Sequence, residues 1–410
     1  MLTVEEALVR VLAGIPVLGA ETVGLTSALG RVLARPIVAG RDLPPWDNSS
    51  MDGYAVRARD TAGATAAAPA RLTLIGAVPA GRVAERPVGP GETYRILTGA
   101  PMPAGADAVV PQEDVRREGE AVAVLRPARA ADFVRPRGED VREGETVLGA
   151  GIVLGPAALG VLAALGRPLL QVHQRPRVAI LSTGDELVDL DRTPGPGQIP
   201  NSNTYALGAQ VREAGGVPIS LGIARDARED LEERFRSGLA ADVLVSSAGV
   251  SVGDLDLVRE VMEKLGAEID FWKVSMRPGK PLTFGRLGGR PFFGLPGNPV
   301  SSMVTFELFV RPAIRRMGGH AALFRPRVRA RLDAPLDNPG SREGYLRVRL
   351  TDVDGQAVAR STGEQGSGVL RSMLLADGLA VVPPDTRLAT GDPVDVILLR
   401  SDSWLSQGGD

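Results

Sequence analysis

Residues 177–186 read RVAILSTGDE, and this stretch decides the predicted fold. An aliphatic run ends in hydroxyl, glycine and acidic residues, which is typical of a buried strand that leads into a functional turn. The same pattern returns as ADVLVSS at 241–247 and PFFGLPGNPVS at 291–301, with helical patterns between the strands. This alternation predicts a doubly wound α/β domain with a mostly parallel sheet over residues 173–320.

The segments on either side of this domain have different patterns of apolar and polar residues. Short apolar runs between Gly and Pro residues precede it, and alternating apolar and polar residues follow it. Both patterns predict β structure. The expected fold class is therefore multidomain α/β plus β. Its four predicted parts are a discontinuous linking domain at 1–45 and 142–172, a β-rich insertion domain at 46–141, the α/β domain at 173–320 and a C-terminal β domain at 325–403.

Composition excludes several classes of protein and of site. The 410 residues carry a net charge of −2, which argues against a nucleic-acid or membrane-surface partner. The sequence has no cysteine, and His173 and His320 are its only histidines. Thiolate zinc sites, iron–sulfur clusters, cysteine nucleophiles and multi-histidine metal centres are therefore excluded. A metal would have to be held mainly by carboxylates, other oxygens and water, which favours Mg²⁺.

The N-terminal segment predicts a helix rather than a targeting signal. It reads MLTVEEALVRVL without a basic region, and Thr3 with Glu6 forms a capping-box pattern for a helix over residues 3–13. The uncharged stretch Val147–Gly166 contains Pro156 and five glycines, so we interpret it as a buried strand followed by a short helix. We therefore expect a cytoplasmic protein.

Small, hydroxyl and acidic residues follow the predicted strands at the edge where open parallel sheets bind ligands. Glycine and serine let backbone N–H groups approach an anion, and acids beside them suit Mg²⁺ between protein and phosphate. Each motif alone is more typical of a turn or helix cap, but their convergence predicts a site. The candidates are Ser182, Thr183, Gly184, Asp185, Glu186, Asp226, Ser247, Gly249, Ser251, Asp256, Pro296, Gly297, Asn298, Pro299 and Ser301.

Three cations lie in one segment that follows the third helix of the α/β domain. Lys273, Arg277 and Lys280 would place positive charge on the same side as the acids. The combination predicts a phosphorylated or oxyanion ligand with Mg²⁺. The sequence has neither a GxGxxG fingerprint nor a Walker A motif, so it supports neither a dinucleotide oxidoreductase nor a P-loop ATPase.

A series of motifs through nearly the whole chain resembles the molybdopterin molybdenumtransferase family, which includes MoeA and the gephyrin E-domain. The combination and its order are far more specific than any single motif. The motifs are SMDGYA at 50–55, TGAP at 98–101, GADAVV at 105–110, RPRGED at 135–140, STGDEL at 182–187, GQIPNSN at 197–203, GVSVG at 249–253, PGKP at 278–281, GLPGNPVS at 294–301 and TGEQGS at 362–367.

The resemblance implies an architecture and an activity. It implies an elongated homodimer whose active site lies between the α/β (molybdopterin-binding-like) domain of one protomer and the N-terminal part of the other. It implies Mg²⁺-dependent insertion of molybdate, a substrate, into adenylylated molybdopterin with release of AMP, the last step of molybdenum cofactor biosynthesis. A transient contact with the adenylylating enzyme is also implied.

Functional residues follow from the resemblance by position. The implied catalytic residues are Asp52, Thr98, Arg135, Asp140, Glu186, Asp226 and Asp256. Of these, Glu186, Asp226 and Asp256 are the implied metal ligands, and the cations Lys273, Arg277 and Lys280 join the substrate-binding set. Two positions depart from the family pattern. Arg277 stands where Lys is frequent, and Ala248 stands where a second glycine is usual, which puts the backbone conformation there in doubt.

Two other functions remain open at this point. The first is the sister activity, adenylylation of molybdopterin, which uses a similar α/β domain but usually on a shorter chain. The second is a non-catalytic scaffold like the gephyrin E-domain. The four-part architecture favours molybdate insertion over adenylylation. Retention of all three acids and the cationic segment favours catalysis over a scaffold.

Overall fold

The structure is a computed structural model that describes residues 1–248 and 255–400. Its N-terminal helix, α1 (Val4–Ala13), confirms the expected capping box. The Thr3 side chain accepts from the backbone N–H of Glu6, and the Glu6 side chain accepts from that of Thr3. The buried face of α1 packs into the core of the α/β unit through Ala7 and Val11.

Two small antiparallel pairs join the N-terminal segment to residues that follow the insertion. The strands are β1 (Ala20–Gly24) and β2 (Ile37–Val38). Their partners come more than a hundred residues later, because the β-rich segment lies between them. That intervening segment holds β3 (Asn48–Ser49), β4 (Gly53–Val56), β5 (Ala70–Val78), β6 (Glu92–Ile96), β7 (Ala108–Pro111), β8 (Val115–Glu118), β9 (Ala121–Val124) and β10 (Val134–Arg135).

The inserted segment forms its own six-stranded sheet in the order β7-β4-β6-β5-β9-β8. Strands β3 and β10 form a separate two-stranded pair at its side. The chain then returns through β11 (Thr146–Leu148), α2 (Pro156–Ala164) and β12 (Leu169–His173), which pair with or pack against the N-terminal segment. Helix α2 begins at Pro156, as expected for the uncharged stretch.

The α/β unit contains a six-stranded sheet flanked by helices. In chain order its elements are β13 (Arg177–Thr183), β14 (Leu187–Val188), β15 (Ile199–Pro200), α3 (Ser202–Glu213), β16 (Val217–Ala224), α4 (Arg228–Gly238), β17 (Val243–Ser247), α5 (Leu255–Lys264), β18 (Glu268–Lys273), β19 (Met276–Arg277), β20 (Pro281–Leu287), β21 (Arg290–Leu295), α6 (Pro299–Thr305) and α7 (Arg311–Met317). The sheet order is β16-β13-β17-β21-β20-β18. Strands β16, β13, β17 and β21 are parallel, which confirms the expected core of the domain.

One side of this sheet is antiparallel, which the sequence patterns did not indicate. Strands β20 and β21 form a hairpin in which Leu287 pairs with Arg290 across Gly288 and Gly289. Both glycines have positive φ, so the two-residue turn has the chemistry of a tight hairpin. The last helical pattern also differs from one continuous α-helix. Residues Phe306–Val310 form a π-helical turn between α6 and α7, and Pro312 there has no N–H to donate.

The C-terminal unit is a ring of five strands. Its elements are β22 (Arg327–Leu332), β23 (Leu336–Asn338), β24 (Glu343–Val353), β25 (Gln356–Ser361), α8 (Leu370–Leu374), β26 (Gly378–Val382), β27 (Thr386–Leu388) and β28 (Pro393–Leu398). Strands β24, β25, β22, β28 and β26 pair in turn, and β26 pairs back with β24, so the ring closes. The observed architecture confirms the multidomain α/β plus β class.

The α/β and C-terminal units are joined directly at the sheet level. Strand β19 pairs in parallel with β24, so Arg277 lies opposite Gly344. This pairing brings the cationic segment of the α/β unit against the C-terminal ring. No helix among the described residues has the length and apolar character needed to cross a membrane.

Candidate active site

The first candidate turn is built on the end of β13. Ser182 and Thr183 are buried, and the Ser182 hydroxyl lies 3.2 Å from Asn201 Oδ1 and 2.9 Å from Thr204 Oγ1. Asn201 caps α3 by accepting from the Thr204 backbone N–H. Ser182 therefore ties the turn to the start of α3, and the side chains of Ser182 and Thr183 are both buried.

Asn203 joins the ends of two neighbouring strands. Its Nδ2 donates to Ser247 Oγ at the end of β17 and to the carbonyl of Gly297 after β21, both at 2.7 Å. Ser247 and Gly297 were predicted from separate motifs, and one amide side chain now brings them together. The carboxyl ends of these parallel strands therefore form one continuous edge, as expected for a ligand site in such a sheet.

Three acidic candidates, Asp185, Glu186 and Asp226, lie at the same edge but are exposed. The backbone N–H of Asp226 donates to Asp185 Oδ1 at 3.3 Å, which links the turns after β13 and β16. The Glu186 carboxylate folds over Gly184, where an added Cβ would lie 2.3 Å from a carboxylate oxygen. Only glycine therefore fits there with Glu186 in this orientation. A cleft of about 710 Å³ opens beside Gly184 and Asp185.

The structure describes the side chains of two of the three expected metal ligands, Glu186 and Asp226. Gly249, Ser251 and the side chain of Asp256 lie outside the described residues. Within the described part of the chain, no three or more acidic or histidine side chains are grouped closely enough to hold a metal ion. The pair of turns carrying Glu186 and Asp226 supplies only hard carboxylate oxygens, the donor type that Mg²⁺ prefers.

The cationic segment faces the junction with the C-terminal ring. Lys273 ends β18, Arg277 ends β19, and Lys280 precedes β20; all three are exposed. Arg277 Nη1 donates to the carbonyl of Pro339 at 3.1 Å. None of the three forms an ion pair with a carboxylate among the described residues, so their positive charge is not neutralised by the protein there.

A buried arginine in the C-terminal ring adds to this charge. Arg347 on β24 has no exposed surface. Its Nε donates to Ser372 Oγ at 3.1 Å and its Nη2 to the carbonyl of Gly366 at 3.2 Å, but its buried Nη1 has no hydrogen-bond partner. No described carboxylate forms an ion pair with it. A buried donor of a charged group without an acceptor is costly unless a ligand supplies one.

The positive charge of Arg277 also acts on Arg347. Burial first, and then the positive charge of Arg277, lower the pKa of Arg347 to about 10. Arg347 therefore remains a cation at neutral pH. The two guanidinium groups come from different units, and no described carboxylate forms an ion pair with either of them.

The PGNP turn is also tied to the C-terminal unit. Asn298 Nδ2 donates to Ser367 Oγ at 2.9 Å, and the N–H of Val300 donates to the Ser367 carbonyl at 3.0 Å. Pro299 is the first residue of α6, where a missing N–H is tolerated, and Ser301 is buried within the helix. Pro296 is buried at the end of β21. These bonds fix the turn beside the TGEQGS loop.

The N-terminal candidates form a second group within the inserted segment. Asp52 Oδ1 accepts from both the backbone N–H and the hydroxyl of Thr98, each at 2.7 Å. These hydrogen bonds, with Arg95 nearby, hold the pKa of Asp52 below its usual range. Asp52 is therefore an exposed, ionised carboxylate with a fixed orientation.

Arg135 belongs to β10, the strand that pairs with β3, and Asp140 follows this strand in the chain. Arg135 lies opposite Asn48 in the β3–β10 pair, and its Nε is 3.3 Å from a carboxylate oxygen of Glu139. The Asp140 backbone N–H donates to the carbonyl of Leu43, and its side chain is exposed. Among the described residues, no hydrogen bond or ion pair connects these four candidates to the acidic or cationic candidates of the α/β unit.

Three contributors were missed by the sequence analysis. Asn203 and Ser367 lie inside the quoted motifs GQIPNSN and TGEQGS, so the motifs contained the signal but the individual roles were not assigned. Arg347 lies in the alternating segment YLRVRL with Arg349. Alternation places the two arginines on one face of a strand but does not say which one the rest of the protein covers.

The doubt about Ala248 has a structural answer. Ala248 adopts φ of +73°, the left-handed region that favours glycine. Its N–H still donates to the carbonyl of Leu295 at 3.1 Å. The backbone at this position therefore keeps the conformation that a glycine would adopt, at a cost in local strain.

Comparisons with known proteins cover nearly the whole chain. Three family profiles match it: the MoeA N-terminal region (domain I and II) over residues 2–166, a probable molybdopterin binding domain over 179–316, and the MoeA C-terminal region (domain IV) over 329–399. The chain is 42% identical to a molybdopterin molybdenumtransferase of a Nostoc species over 92% of this chain and 88% of that protein.

Further relatives give the same result. The identity is 40% to molybdopterin molybdenumtransferase 2 of Mycobacterium tuberculosis, over 92% of this chain and 94% of that protein. A crystal structure of a molybdopterin biosynthesis MoeA protein from Pyrococcus horikoshii superposes with a TM-score of 0.83. It is 32% identical and covers 97% of this chain and 100% of its own. The similarity therefore extends to sequence, domain order and fold.

Proposed function

Since the chain belongs to the molybdopterin molybdenumtransferase family, we propose that it is a transferase of molybdenum cofactor biosynthesis. In the proposed reaction, it inserts molybdate into adenylylated molybdopterin and releases AMP with Mg²⁺ as cofactor. The substrate then carries a pterin, a phosphoanhydride and an AMP group, and the second substrate is a small oxyanion. We expect the protein to act in the cytoplasm as a homodimer.

The arrangement of Arg347 and Arg277 supports an oxyanion substrate most directly. Arg347 is buried, keeps its charge at neutral pH and has an unpaired Nη1. Arg277 adds a second guanidinium, and the described residues place no carboxylate in an ion pair with either. Molybdate bound at the exposed Arg277 would supply the negative charge that this pair of guanidinium groups lacks.

The acidic turns would handle the phosphoanhydride. Glu186 and Asp226 would hold Mg²⁺, and Asp256, whose side chain lies outside the described residues, would complete the set. When bound, Mg²⁺ would neutralise the phosphate oxygens and leave the phosphorus open to attack. Attack of water on the AMP phosphorus would form a P–O bond as the P–O–P bond breaks, giving AMP and the phosphate of molybdopterin. Lys273 and Lys280 would attract the negative charge that develops on that leaving phosphate.

The N-terminal group would act on the substrate held by the partner protomer. Asp52 is ionised and oriented by Thr98, and Arg135 and Asp140 lie in the same segment. Their separation from the acidic turns in the hydrogen-bond network suits a site that is completed by a second copy of the chain. We propose that Asp52 positions the substrate and that Gly297, Asn298 and Pro299 shape the edge it contacts.

AMP release is the measurement that tests this function. Adenylylated molybdopterin with Mg²⁺ is incubated with the full-length protein, with and without molybdate, beside a control of free molybdopterin and ATP. We expect molybdate-stimulated AMP release together with formation of molybdenum cofactor. The same assay with Asp226→Ala should give no AMP while the variant keeps its wild-type fold and oligomeric state.

The other outcomes select the other two functions. Product that forms only in the control of free molybdopterin and ATP would indicate adenylylation of molybdopterin and contradict the proposal. No reaction in either mixture, from a folded protein, would contradict catalysis and favour the scaffold. If an Asp226→Ala variant released AMP at the wild-type rate, Asp226 would not be required for the proposed reaction.

A further inference from the structure

Exposed aromatic side chains are few in the described part of the chain. Only four aromatic residues are largely exposed among the described residues: Trp46, Phe133, Tyr205 and Phe324. Two of the four, Trp46 and Phe133, belong to the segments that build the Asp52 group. Phe133 is 45% exposed and Trp46 is 50% exposed. Both rings are therefore exposed on the segments that position Asp52.

Phe133 is held in a strained backbone conformation. Its φ is +54°, and Ala131 two residues earlier has φ of +70°. A bulky residue in the left-handed region costs about 1–3 kcal/mol and persists only when its surroundings impose it. Here the Phe133 carbonyl accepts from both the backbone N–H (2.9 Å) and the hydroxyl (3.0 Å) of Ser50.

The strained loop is locked to the loop that carries Asp52. Ser50 begins the SMDGYA motif, and the preceding Ser49 pairs with Val134 in the β3–β10 ladder. The Ser49 carbonyl in turn accepts from the N–H of Gly99, next to Thr98. Three segments that are distant in sequence are therefore held as one unit, and Phe133 lies at its exposed border. Such a unit fixes the position of an aromatic ring without burying it.

We propose that the ring of Phe133 stacks on the flat pyrimidine ring of the substrate's pterin and positions it beside Asp52. The inference rests on the proposed function, which supplies a flat, polar heterocycle as substrate. Aromatic rings bind such heterocycles by offset stacking, and the contact tolerates a polar edge. Phe133 is therefore a positioning residue. The strain at its backbone is explained by the need to present the ring at one place.

The test compares three substitutions in the full-length protein. Phe133→Asn removes the ring but suits the left-handed conformation, so the fold is preserved. Phe133→Tyr keeps the ring. Phe324→Asn removes an exposed aromatic side chain far along the chain, before β22, and serves as the matched control. The measurements are KM and kcat for adenylylated molybdopterin, quenching of the fluorescence of free 6-hydroxymethylpterin, and the midpoint of thermal unfolding.

The expected result is specific to stacking. Phe133→Asn should raise KM and weaken pterin quenching about tenfold, with kcat little changed and a melting temperature equal to or above that of the wild type. Phe133→Tyr and Phe324→Asn should behave like the wild type. Unchanged KM and quenching in an active Phe133→Asn variant would overturn the inference and leave the proposed function intact. Failure of the proposed function itself would be recognised separately, as absence of AMP release from the wild-type protein.

Discussion

The two groups of functional candidates, around Arg347 and around Asp52, differ in how the protein surrounds their charged side chains. In the α/β and C-terminal units, Arg347 is fully buried and its guanidinium lacks a carboxylate partner among the described residues. In the inserted segment, Asp52 is exposed and both its hydrogen bonds come from Thr98 of the same segment. One group stores an uncompensated charge in the interior, whereas the other orients a satisfied charge at the surface.

This difference indicates what each group requires to become functional. A buried cation without an ion-pair partner is stabilised when negative charge binds nearby, so an anion would lower the cost that burial imposes. An exposed carboxylate held by two hydrogen bonds is already in its working state and needs a substrate brought to it. Under the proposed function, we expect the first group to bind a small anion and the second to contribute to a site assembled with another surface.

The largest effect is expected at Arg347. Arg347→Gln keeps a hydrogen-bonding side chain but removes the charge, so the anion site loses its main electrostatic attraction. We expect a loss of about 100-fold or more in kcat/KM. We also expect tungstate or molybdate to stop raising the melting temperature, while the melting temperature of the free protein stays the same or rises.

Arg349→Gln is the matched control for this change. Arg349 lies on the same strand and the same face of β24 but is exposed. It should retain activity and stabilisation by the oxyanion. If the two variants show the same kcat/KM and the same stabilisation by the oxyanion, burial of Arg347 would have no special role in binding the anion.

The next effect tests whether the two groups meet across a dimer. Asp52→Ala and Glu186→Ala should each fold and be inactive, because each removes one part of a composite site. After subunit exchange in an equimolar mixture, half of the dimers are mixed and each has one intact site, so about a quarter of wild-type activity should return. The measurement is AMP release before and after exchange, with exchange verified independently. No recovery would mean that Asp52 and Glu186 serve the same site within one chain, or separate sites.

A smaller effect is expected from the hydrogen bonds that orient Asp52. Thr98→Val removes the hydroxyl bond but leaves the backbone N–H bond, which is the larger cause of the lowered pKa. The pKa of Asp52 should therefore rise partway toward its usual value. Because the ionised carboxylate is the working form, activity should begin to fall at a higher pH as the solution is acidified. The acid limb of the kcat/KM profile measures this shift, and Thr98→Ser, which keeps the hydroxyl, should leave the limb in place.

The sequence predicted the α/β region more fully than the sites between units. Strands at 177–183 and 243–247 could be identified because hydrophobic runs and glycine-rich turns are local signals. The hairpin of β20 and β21 was missed because an apolar strand buried on both faces reads the same in a parallel or an antiparallel neighbourhood. Direction was decided there by Gly288 and Gly289, a two-residue turn whose meaning depends on the strands that it joins.

The site was predictable to the extent that its residues lie in motifs. Asp52 and Thr98 were named from the family resemblance, and the structure brings them into direct hydrogen bonding. Arg347 was not found, because its importance depends on burial between β24 and the loop containing Gly366, which is a property of tertiary packing. Phe133 was not found either, since a left-handed phenylalanine has no signature in the sequence.

The smallest expected effect concerns backbone strain, which both groups contain. Ala248 at the end of β17 has φ of +73°, and its Cβ lies 3.2 Å from the place where a Cβ on Gly297 would be. Ala248→Gly removes the left-handed penalty of about 1–2 kcal/mol, but the more flexible unfolded chain offsets about 0.4–1 kcal/mol of it. The free energy of unfolding, measured with urea, should therefore rise by at most about 1.6 kcal/mol, with KM and kcat unchanged. At Phe133 the same relief of strain, through Phe133→Asn, should raise KM. A rise in KM with Ala248→Gly would show that backbone strain at the sheet edge also positions a substrate. Backbone strain would then have the same role in both groups.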